Sequence, residues 1–390
     1  MTRILASGDH HFDASSPRWE ECQRIHDWIA ARAETEKPDL FLSAGDLYER
    51  ASTPVEREVV ATWLTRIADV CPVVMVRGNH DASQDLALLR RLKARHPITV
   101  EERAAVHVVA GVAVACLAWP SRSSLAASMP GATTAESLND GTRGVLGNVL
   151  RGLGLQLQAH DGPTVLLSHA MVDGSVTSVG QPLVGCESNV SLTELGLAGA
   201  HATVLGHIHK PQDWAFDGRP IMYTGSPFRT AFGEVEQKSI LSAEWSDERG
   251  LASWSRILTP ATPMVLLTAD YLGDGAASAS GFVRSPNWDI PEGCEARLRY
   301  RVEADQREAA RAAVASTVEE LLLIGAKSVK VEEVVRPKVR ARTPEIATAD
   351  SLGEKLDVLW DAREPELDAE RRTRLKALAQ SVETEVRGAA

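Results

Sequence analysis

The first part of the chain switches repeatedly between the hydrophobic spacing of strands and that of helices. Short apolar runs at 3–8, 39–43 and 73–77 are rich in branched residues, which predicts buried strands. Between them, at 18–34 and 54–70, apolar side chains recur at helical spacing. Strands alternating with helices favour a largely parallel sheet with helices packed against it, so we predict an α/β fold.

The pattern continues to about residue 260. The apolar run at 106–119 is divided by Gly111 and is too short to cross a bilayer, so it predicts two strands joined at that glycine. The stretch at 121–160 is rich in small and polar residues, which predicts loop and helix. Further strands are predicted at 164–168, 202–205, 220–224, 239–245 and 253–258.

A different pattern begins after Pro260 and Pro263. Strands at 264–269, 295–302 and 328–335, with a helix at 304–324, predict a small α+β module. A basic linker containing proline follows at 336–342. We therefore expect three parts, residues 1–260, 261–335 and 336–390.

Two helices are predicted in the last part. Ser351 and Glu354 form a capping box at the start of the first. In each helix the large apolar residues lie on one face, and such a face is normally buried against other apolar groups. The pattern leaves open whether the faces fold back on the chain or dock on another protein. These residues are Leu352, Leu356, Leu359 and Trp360 in the first helix, and Leu375, Leu378, Val382 and Val386 in the second.

Composition changes this picture little. With 390 residues, 44% hydrophobic and 24% charged, the chain is typical of soluble globular proteins. Its net charge of −11 argues against broad attraction to nucleic acid or anionic membranes, although a local basic groove stays possible. We expect a cytoplasmic protein without a signal peptide or membrane association. The cysteines lack metal-site spacing and we expect them to be reduced: Cys22, Cys71, Cys116, Cys186 and Cys294.

Candidate chemistry lies where five of the predicted strands end. A single histidine in such a place is more often a satisfied turn or core residue, but the same feature at five separate strand ends predicts one metal site. Because side chains alternate along an extended chain, we pair His11 rather than His10 with Asp9. The candidate ligands are Asp9, His11, Asp46, Asn79, His169, His207 and His209, and His80 adjoins them.

The types of donor atom limit which metals the site is expected to bind. Imidazole, carboxylate and amide oxygen without thiolate suit Mn²⁺, Fe or Zn²⁺ better than Ca²⁺ or Mg²⁺. The set is too large for one tetrahedral ion and is sufficient for two ions that share a carboxylate. Two ions about 3.5–4 Å apart form a clamp suited to phosphoryl chemistry.

These segments resemble the five motifs of the calcineurin-like metallophosphoesterases, in the same order. Within that superfamily, the sequences at 45–50, 206–212, 223–227 and 232–234 resemble the SbcD family of DNA nuclease subunits. The resemblance is strong over about residues 1–235, and rests only on order and pattern beyond. It implies a sandwich of mixed sheets flanked by helices, with a small α+β capping domain and C-terminal helices. His10 and Asp13 depart from the usual first motif, and we expect neither to affect ligation.

The resemblance also implies residue roles. Asp46 would bridge two Mn²⁺ ions, although other divalent metals are possible. His80 would be no ligand, but would stabilise the leaving oxygen of the scissile phosphate, and the carboxylate of Glu49 would orient that histidine. The expected ligands of one ion are Asp9, His11 and His209, and those of the other are Asn79, His169 and His207.

The activity implied is a DNA nuclease acting in double-strand-break repair and recombination. It would act as a 3′–5′ exonuclease on duplex ends and as an endonuclease on single strands and hairpins. The expected partners are DNA, an SbcC-like ATPase and a second copy in a homodimer, and the expected location is the nucleoid. Two alternatives stay open: a phosphatase or phosphodiesterase for small substrates, which would not need the segments after 260, and a metal-stabilised scaffold that binds DNA ends, which would not need His80.

DNA contacts are harder to assign from the sequence. Basic residues cluster around and after Asn79, although a solvated helix face is the commoner explanation for such a cluster. Arg229, beside the glycine-containing loop at 225–227, is the better single candidate for a contact near the site. The clustered residues are Arg77, Arg90, Arg91, Lys93 and Arg95.

Overall fold

The computed structural model describes residues 1–120, 135–178, 189–246, 250–273, 281–284, 288–336, 349, 351–362 and 369–388. The linker predicted after Arg336, the first part of the 121–160 stretch and Cys186 lie outside these residues. The α/β class predicted from the sequence is confirmed, with several mixed sheets and flanking helices.

The strands are β1 (Thr2–Ser7), β2 (Leu40–Ser43), β3 (Val73–Val76), β4 (Ile98–Glu101), β5 (Ala105–Val109), β6 (Val112–Leu117), β7 (Thr164–His169), β8 (Met171–Val172), β9 (Asn189–Val190), β10 (Ala202–Gly206), β11 (Gln212–Phe216), β12 (Arg219–Tyr223), β13 (Ser239–Ser246), β14 (Gly250–Leu258), β15 (Met264–Tyr271), β16 (Phe282–Arg284), β17 (Glu295–Glu303) and β18 (Ser328–Arg336). The helices are α1 (Trp19–Glu36), α2 (Pro54–Ala68), α3 (Ser83–Leu89), α4 (Ala135–Leu157), α5 (Leu192–Gly196), α6 (Arg307–Leu323), α7 (Leu352–Ala362) and α8 (Ala369–Gly388).

Two six-stranded sheets form the centre of the main body. The first has the order β14-β13-β1-β2-β3-β4, with β1 to β4 parallel, and the second has the order β11-β12-β10-β7-β6-β5. Residues such as Leu42, Val74, Cys116, Leu167 and Val204 are buried between them. Because β2 and β3 are buried on both faces, their sequences are continuous apolar runs rather than alternating ones.

Helices cover the outer faces of both sheets. Ile25 and Ile29 of α1 and Leu64 of α2 pack with the first sheet, and α4 and α5 pack on the second. Helix α2 begins at the Thr53–Glu56 capping box, with proline at its first turn. The result is a four-layer sandwich, as the resemblance implies.

The third sheet, β16-β15-β17-β18, starts after the residues at which the sequence pattern changes. Helix α6 packs on it through Ala310, Val314 and Leu321. Helices α7 and α8 pack against each other. Among the described residues, no helix has the length and apolar character needed to cross a membrane.

The sequence reasoning predicted one short hairpin and missed several other short elements. The hairpin at Gly111 was predicted correctly: β5 and β6 pair antiparallel, with left-handed backbone at Ala110 and Gly111. The strands β4, β8, β9, β11 and β16 and the helices α3 and α5 were not predicted. Most of them span two to five residues, too few for a hydrophobic period to be recognisable.

Candidate metal centre

The candidate ligands converge at the carboxyl ends of β1, β2, β3, β7 and β10. Hydrogen bonds connect their loops: Asp9 N–H donates to the Gly45 carbonyl (3.0 Å), and His207 N–H donates to the side-chain Oδ1 of Asp9 (2.7 Å). The second bond joins a loop of one sheet to a loop of the other. The site is therefore built between the two sheets, at the edge where ligands usually bind in α/β proteins.

Four candidate ligands have left-handed backbone: Asp9 (φ 53°), His11 (φ 45°), Asp46 (φ 49°) and His207 (φ 103°). Such backbone is uncommon for residues other than glycine, and it clusters at functional sites. Asp9 and His11 follow the end of β1 and are not extended. The prediction that alternation along a strand turns both side chains to the site is therefore wrong in its reason. Both face the site because of the turn that they form.

Asp46 is common to two groups of potential ligand atoms. Its carboxylate, His11 and Asp9 form one group, and the same carboxylate with His169 and His207 forms the other, each with ligand atoms within 4.8 Å of one another. Asp46 Oδ2 lies 3.2 Å from His169 Nε2 and 4.0 Å from His11 Nε2. One carboxylate thus lies between two donor sets, the arrangement that two ions sharing a ligand require.

Asn79 and His209 complete the two donor sets. Asn79 Oδ1 lies 2.9 Å from His169 Nε2 and 3.0 Å from His207 Nδ1. His209 Nε2 lies 2.9 Å from His11 Nε2. The structure therefore brings together all seven residues proposed as ligands.

The outward-facing nitrogens of these histidines are fixed by oxygen acceptors. His169 Nδ1 donates to the Ala44 carbonyl (2.7 Å), His209 Nδ1 lies 3.3 Å from Glu234 Oε1, and His11 Nδ1 lies 2.6 Å from Glu49 Oε2. A proton on each Nδ1 leaves each Nε2 with a lone pair directed into the site. Such outer partners are usual for histidines that bind metals.

The residues fit two divalent cations. His11 Nε2 and His209 Nε2 lie 2.9 Å apart, so one of the two nitrogens must carry a proton between them, and a cation at this position would replace that proton. The buried Asp9 Oδ2 has no hydrogen-bond partner among the described residues. A buried anionic oxygen without a partner is costly, and a bound cation removes that cost.

The pKa values show an excess of negative charge. Burial lowers the pKa of His11, but the hydrogen bond to Glu49 and the charges of Asp46, Glu49 and Asp9 outweigh it and raise the pKa to about 9. Burial likewise opposes the charged form of His169, and Asp46 raises its pKa to about 9. Burial would raise the pKa of Asp46, yet His169 and His11 lower it overall. The site thus favours positive charge at its centre.

The predicted role of the Glu49 carboxylate needs correction. His80 Nδ1 donates to the main-chain carbonyl of Glu49 (2.7 Å), whereas the nearer carboxylate oxygen is 4.0 Å away. The Glu49 carboxylate lies instead against His11, because the main chain of Glu49 already occupies Nδ1 of His80. Glu49 thus contacts both histidines, through different groups.

His10 faces away from the site. It is fully buried, and its Nε2 accepts from Ser43 Oγ (3.1 Å) while Nδ1 contacts His26 Nε2 (2.9 Å). His26 Nδ1 in turn donates to the Cys22 carbonyl of α1 (2.7 Å). The chain of hydrogen bonds satisfies both imidazoles as neutral groups. The choice of His11 over His10 as a candidate ligand therefore agrees with the geometry.

The sequence reasoning missed the roles of two acids in motifs that it quoted. Asp81 accepts the N–H groups of Leu47 and Tyr48 on Oδ1 and that of Gly78 on Oδ2. Burial, together with the charge of Asp46, raises the pKa of Asp81 to about 6. The glycine is required because a Cβ at 78 would lie 2.1 Å from Asp46 Oδ1. Asp81 therefore ties the Asn79 loop to the Asp46 loop.

Glu234 has a similar role behind His209. It is fully buried, accepts from Thr230 Oγ1 (2.6 Å) and pairs with the buried ammonium of Lys238 (2.5 Å). Burial would raise its pKa, but His209 and Lys238 lower it to about 2. Its position in the motif at 232–234 was the available signal.

The prediction that Arg229 contacts DNA is wrong. Its guanidinium is buried and donates to the main-chain carbonyls of Glu234, Glu236 and Thr262, so it holds the loop and the segment leading to β15. In the cluster after Asn79, Arg90 donates to the Val100 carbonyl (3.0 Å) and pairs with Glu102 (2.8 Å). These two arginines therefore have structural partners.

A cavity of about 260 Å³ opens over the site. Several candidate ligands line it, whereas Asp9 and His169 are buried behind them. Arg18 also lines the cavity and pairs with Glu295 of β17, and Arg297 of the same strand lies over the Phe232 ring (4.3 Å). The small sheet is thus held against the cavity wall. The candidate residues at the lining are His11, Asp46, Glu49, Asn79, His80, His207 and His209.

The fold and this centre define a class of metal-dependent phosphoesterase. A family model described as calcineurin-like phosphoesterase matches residues 2–211, more than half of the chain, and the chain belongs to this family. The chain is also similar to the SbcD component of the nuclease SbcCD from Bacillus subtilis (strain 168), with 25% identity over 283 residues, which are 66% of this chain and 69% of that protein. The resemblance to calcineurin-like metallophosphoesterases and the resemblance to SbcD, both predicted from the motifs, are confirmed by these two comparisons.

Among solved structures, the chain shows partial similarity to a dimetal phosphatase from Danio rerio, 10% identical, with a TM-score of 0.44 over 66% of this chain and 96% of that one. Another is a protein of Thermus thermophilus, 13% identical, with a TM-score of 0.38 over 61% of this chain and 93% of that one.

Proposed function

We propose that this chain is a DNA nuclease subunit that hydrolyses phosphodiester bonds with two divalent cations, Mn²⁺ by preference. The observation that carries the proposal is the pair of donor groups that share Asp46, beside a cavity into which His80 projects. One ion would be held by Asp9, His11 and His209. The other would be held by Asn79, His169 and His207.

When bound, two such ions lower the pKa of a shared water and neutralise charge on the phosphoryl oxygens. The chain's own residues supply the orientation. Asp46 accepts the His80 N–H on Oδ1 (2.9 Å), which leaves Oδ2 directed at the two donor groups. The Asp46 carboxylate is therefore fixed before any substrate enters, which is what electrostatic preorganisation requires.

His80 would act on the leaving oxygen. Its Nδ1–H is held by the Glu49 carbonyl, so in the imidazolium form Nε2 is the atom that can deliver a proton. Its main-chain N–H is fixed by Asp46. Two anchors on one residue keep the imidazole within reach of a phosphodiester in the cavity.

DNA is the proposed substrate for two reasons. The chain is similar to a nuclease subunit over two thirds of its length. The small sheet also contacts the cavity wall, because Glu295 pairs with the lining residue Arg18, so a substrate in the cavity lies beside a second module. A polymer can use such an extended surface, whereas a small phosphate ester cannot.

The proposal extends to the partners of the similar family. We infer that the chain acts with an SbcC-like ATPase in double-strand-break repair, as a homodimer and in the nucleoid. Exonuclease action from 3′ to 5′ on duplex ends and endonuclease action on hairpins and single strands belong to the same proposal. The exposed apolar face of α8 supports a protein partner.

The test compares a hairpin DNA with bis(4-nitrophenyl) phosphate, each with Mn²⁺, for the wild type and the His80→Asn variant. We expect wild-type cleavage of the hairpin, and a loss of about 10²- to 10⁴-fold in the variant, the usual contribution of a general acid. Mn²⁺ content should be unchanged, because His80 is no ligand in this proposal. Normal hairpin cleavage by the variant would refute the role of His80.

This comparison, together with treatment by a chelator, separates the alternatives. Hydrolysis of the small diester without any cleavage of DNA would indicate a phosphodiesterase for small substrates. If a chelator unfolds the protein and no nuclease activity is found at any Mn²⁺ concentration, the metals serve a scaffold.

A further inference from the structure

A tryptophan outside every motif lies against two of the candidate ligands. Trp119 directly follows Ala118 at the carboxyl end of β6, the same edge at which the ligand-bearing strands end. Its ring centroid is 4.8 Å from that of His207, with an interplanar angle of 35°, and 5.8 Å from that of His169, edge to face. Both distances lie within the range of direct aromatic contact.

The main chain of Trp119 is fixed beside the same site. Its N–H donates to the Arg77 carbonyl (2.9 Å), two residues before Asn79. The indole is therefore placed by the loop that carries Asn79, whose Oδ1 lies 3.0 Å from His207 Nδ1. Asn79 and Trp119 thus approach the imidazole of His207 from connected segments.

His207 has a backbone that needs such support. Its φ of 103° is outside the regions that side-chain-bearing residues normally occupy, and its N–H is held by Asp9 Oδ1. Strained backbone persists only where the surroundings determine it. A large ring stacked on the imidazole restricts rotation of the side chain as well.

We propose that Trp119 is a positioning residue that holds the imidazole of His207 in the orientation for binding a divalent cation. The inference rests on the dinuclear centre of the proposed function. The indole adds a second effect, because metal binding draws electron density from the imidazole, and the π face of an indole stabilises positive charge. Trp119 therefore favours the ion on the His169 and His207 side more than the ion on the His11 side.

The experiment uses Mn²⁺ alone, without DNA. Mn²⁺ binding to the full chain is measured by electron paramagnetic resonance for wild type, Trp119→Leu and Trp119→Phe. Outer contacts of ligand histidines contribute about 10- to 100-fold to metal affinity, so we expect Trp119→Leu to weaken one of two ions by about 10-fold. Trp119→Phe keeps a stacked ring and should restore most of that affinity.

The matched control is Trp288→Leu. Trp288 is half-buried beside the small sheet, where it donates Nε1–H to the Thr268 carbonyl and contacts Arg284, so its loss removes an aromatic ring away from the candidate ligands. We expect this variant to bind both ions with wild-type affinity. If both leucine variants lose affinity equally, general destabilisation is the cause and the inference is overturned.

A second readout does not depend on the leucine variant folding. Co²⁺ quenches nearby indoles, and the chain has nine tryptophans. Because Trp119 is one of the nine, we expect Co²⁺ to quench a fraction of the wild-type fluorescence, and Trp119→Phe to lose most of this quenching while still binding Co²⁺. Equal quenching in both proteins, or wild-type Mn²⁺ binding by Trp119→Leu, would overturn the inference. Failure of the wild type to bind either metal would instead contradict the proposed function.

Discussion

The Glu49 carboxylate lies 2.6 Å from Nδ1 of His11, and the Glu49 main-chain carbonyl accepts the Nδ1–H of His80 at 2.7 Å. One residue thus orients a candidate ligand with its side chain and a candidate catalytic histidine with its backbone. Because only the side chain changes on mutation, the two roles can be separated. The carboxylate is expected to act through the metal affinity of His11 rather than through proton transfer by His80.

We therefore expect Glu49→Ala to weaken Mn²⁺ binding by about 10- to 100-fold, the usual effect of removing an outer carboxylate from a ligand histidine. Cleavage at saturating Mn²⁺ should stay close to the wild type, because the backbone carbonyl that holds His80 is retained. Calorimetric Mn²⁺ titration and nuclease rates over a range of Mn²⁺ concentrations measure the two effects.

Glu101→Ala provides the control, since Glu101 also contacts a histidine, His107, at 2.9 Å and away from the candidate ligands. It should leave Mn²⁺ binding unchanged. A Glu49→Ala protein with normal affinity for Mn²⁺ but a low maximal rate would restore the interpretation in which Glu49 serves His80.

Asp81 is expected to contribute strongly to stability. It is buried and accepts three main-chain N–H groups from two loops. In Asp81→Asn, one amide oxygen can serve Leu47 and Tyr48, but the NH₂ group cannot accept from Gly78. Because the buried N–H of Gly78 loses its acceptor and meets an NH₂ group instead, we expect a loss of about 1–3 kcal/mol in the free energy of unfolding.

Asp85→Asn is the comparison for that variant. Asp85 is equally buried, but it accepts the main-chain N–H of Ser52, just before α2. Asp81, in contrast, accepts three main-chain N–H groups. In Asp85→Asn the amide oxygen can keep this bond, so we expect a loss below about 1 kcal/mol. Urea unfolding of both proteins measures the difference, and equal losses would show that the three bonds of Asp81 do not act together.

The buried pair of His10 and His26 predicts a loss of stability in acid. Burial is the main cause that lowers the pKa of His26, to about 3, so His26 is neutral in the folded chain. The unfolded chain takes up a proton below pH 6.5, so stability is complete above that pH and falls as the pH decreases towards 3. At pH 5, His26 alone accounts for a loss of about 2 kcal/mol.

His26→Phe tests this by its slope rather than by its absolute stability, because His10 also loses its partner. Urea unfolding is measured at pH 8, 6.5 and 5. Between pH 8 and pH 5, we expect the variant to lose about 2 kcal/mol less than the wild type. Parallel curves for the two proteins would show that His26 is not held neutral.

The candidate site was largely predictable from the sequence because strand ends are local features. Asp46 and Asn79 each stand three residues after the end of an apolar run that is typical of a buried strand, and parallel strands bring their ends to one edge. The turn geometry at Asp9 and His11 was not predictable, since left-handed backbone at residues other than glycine depends on tertiary contacts.

Residues outside the motifs were harder to assign. Trp119 follows a strand like the ligands do, but a tryptophan after an apolar strand is ordinary in a core. Arg229 shows the opposite error: a basic residue beside the site suggested a DNA contact, and the structure buries it against three carbonyls. Sequence shows which side chains are available, whereas the partners that satisfy them depend on the fold.

The C-terminal helices leave an apolar face uncovered. Within the described residues, Trp360 is buried in the α7–α8 hairpin, whereas Leu375, Leu378 and Val382 of α8 are 40%, 63% and 47% exposed on one face. The side chain of Val386, predicted on that face, lies outside the described residues. An exposed apolar row at this spacing suits a groove on a partner protein.

Leu378→Glu should therefore abolish binding to an SbcC-like ATPase without lowering the melting temperature, because a charge would replace an apolar contact with the partner. Gln380→Glu adds the same charge to the other side of α8 and should keep binding. Pull-down with the ATPase and thermal unfolding measure both effects. A large fall in melting temperature for Leu378→Glu would indicate that the chain itself covers this face.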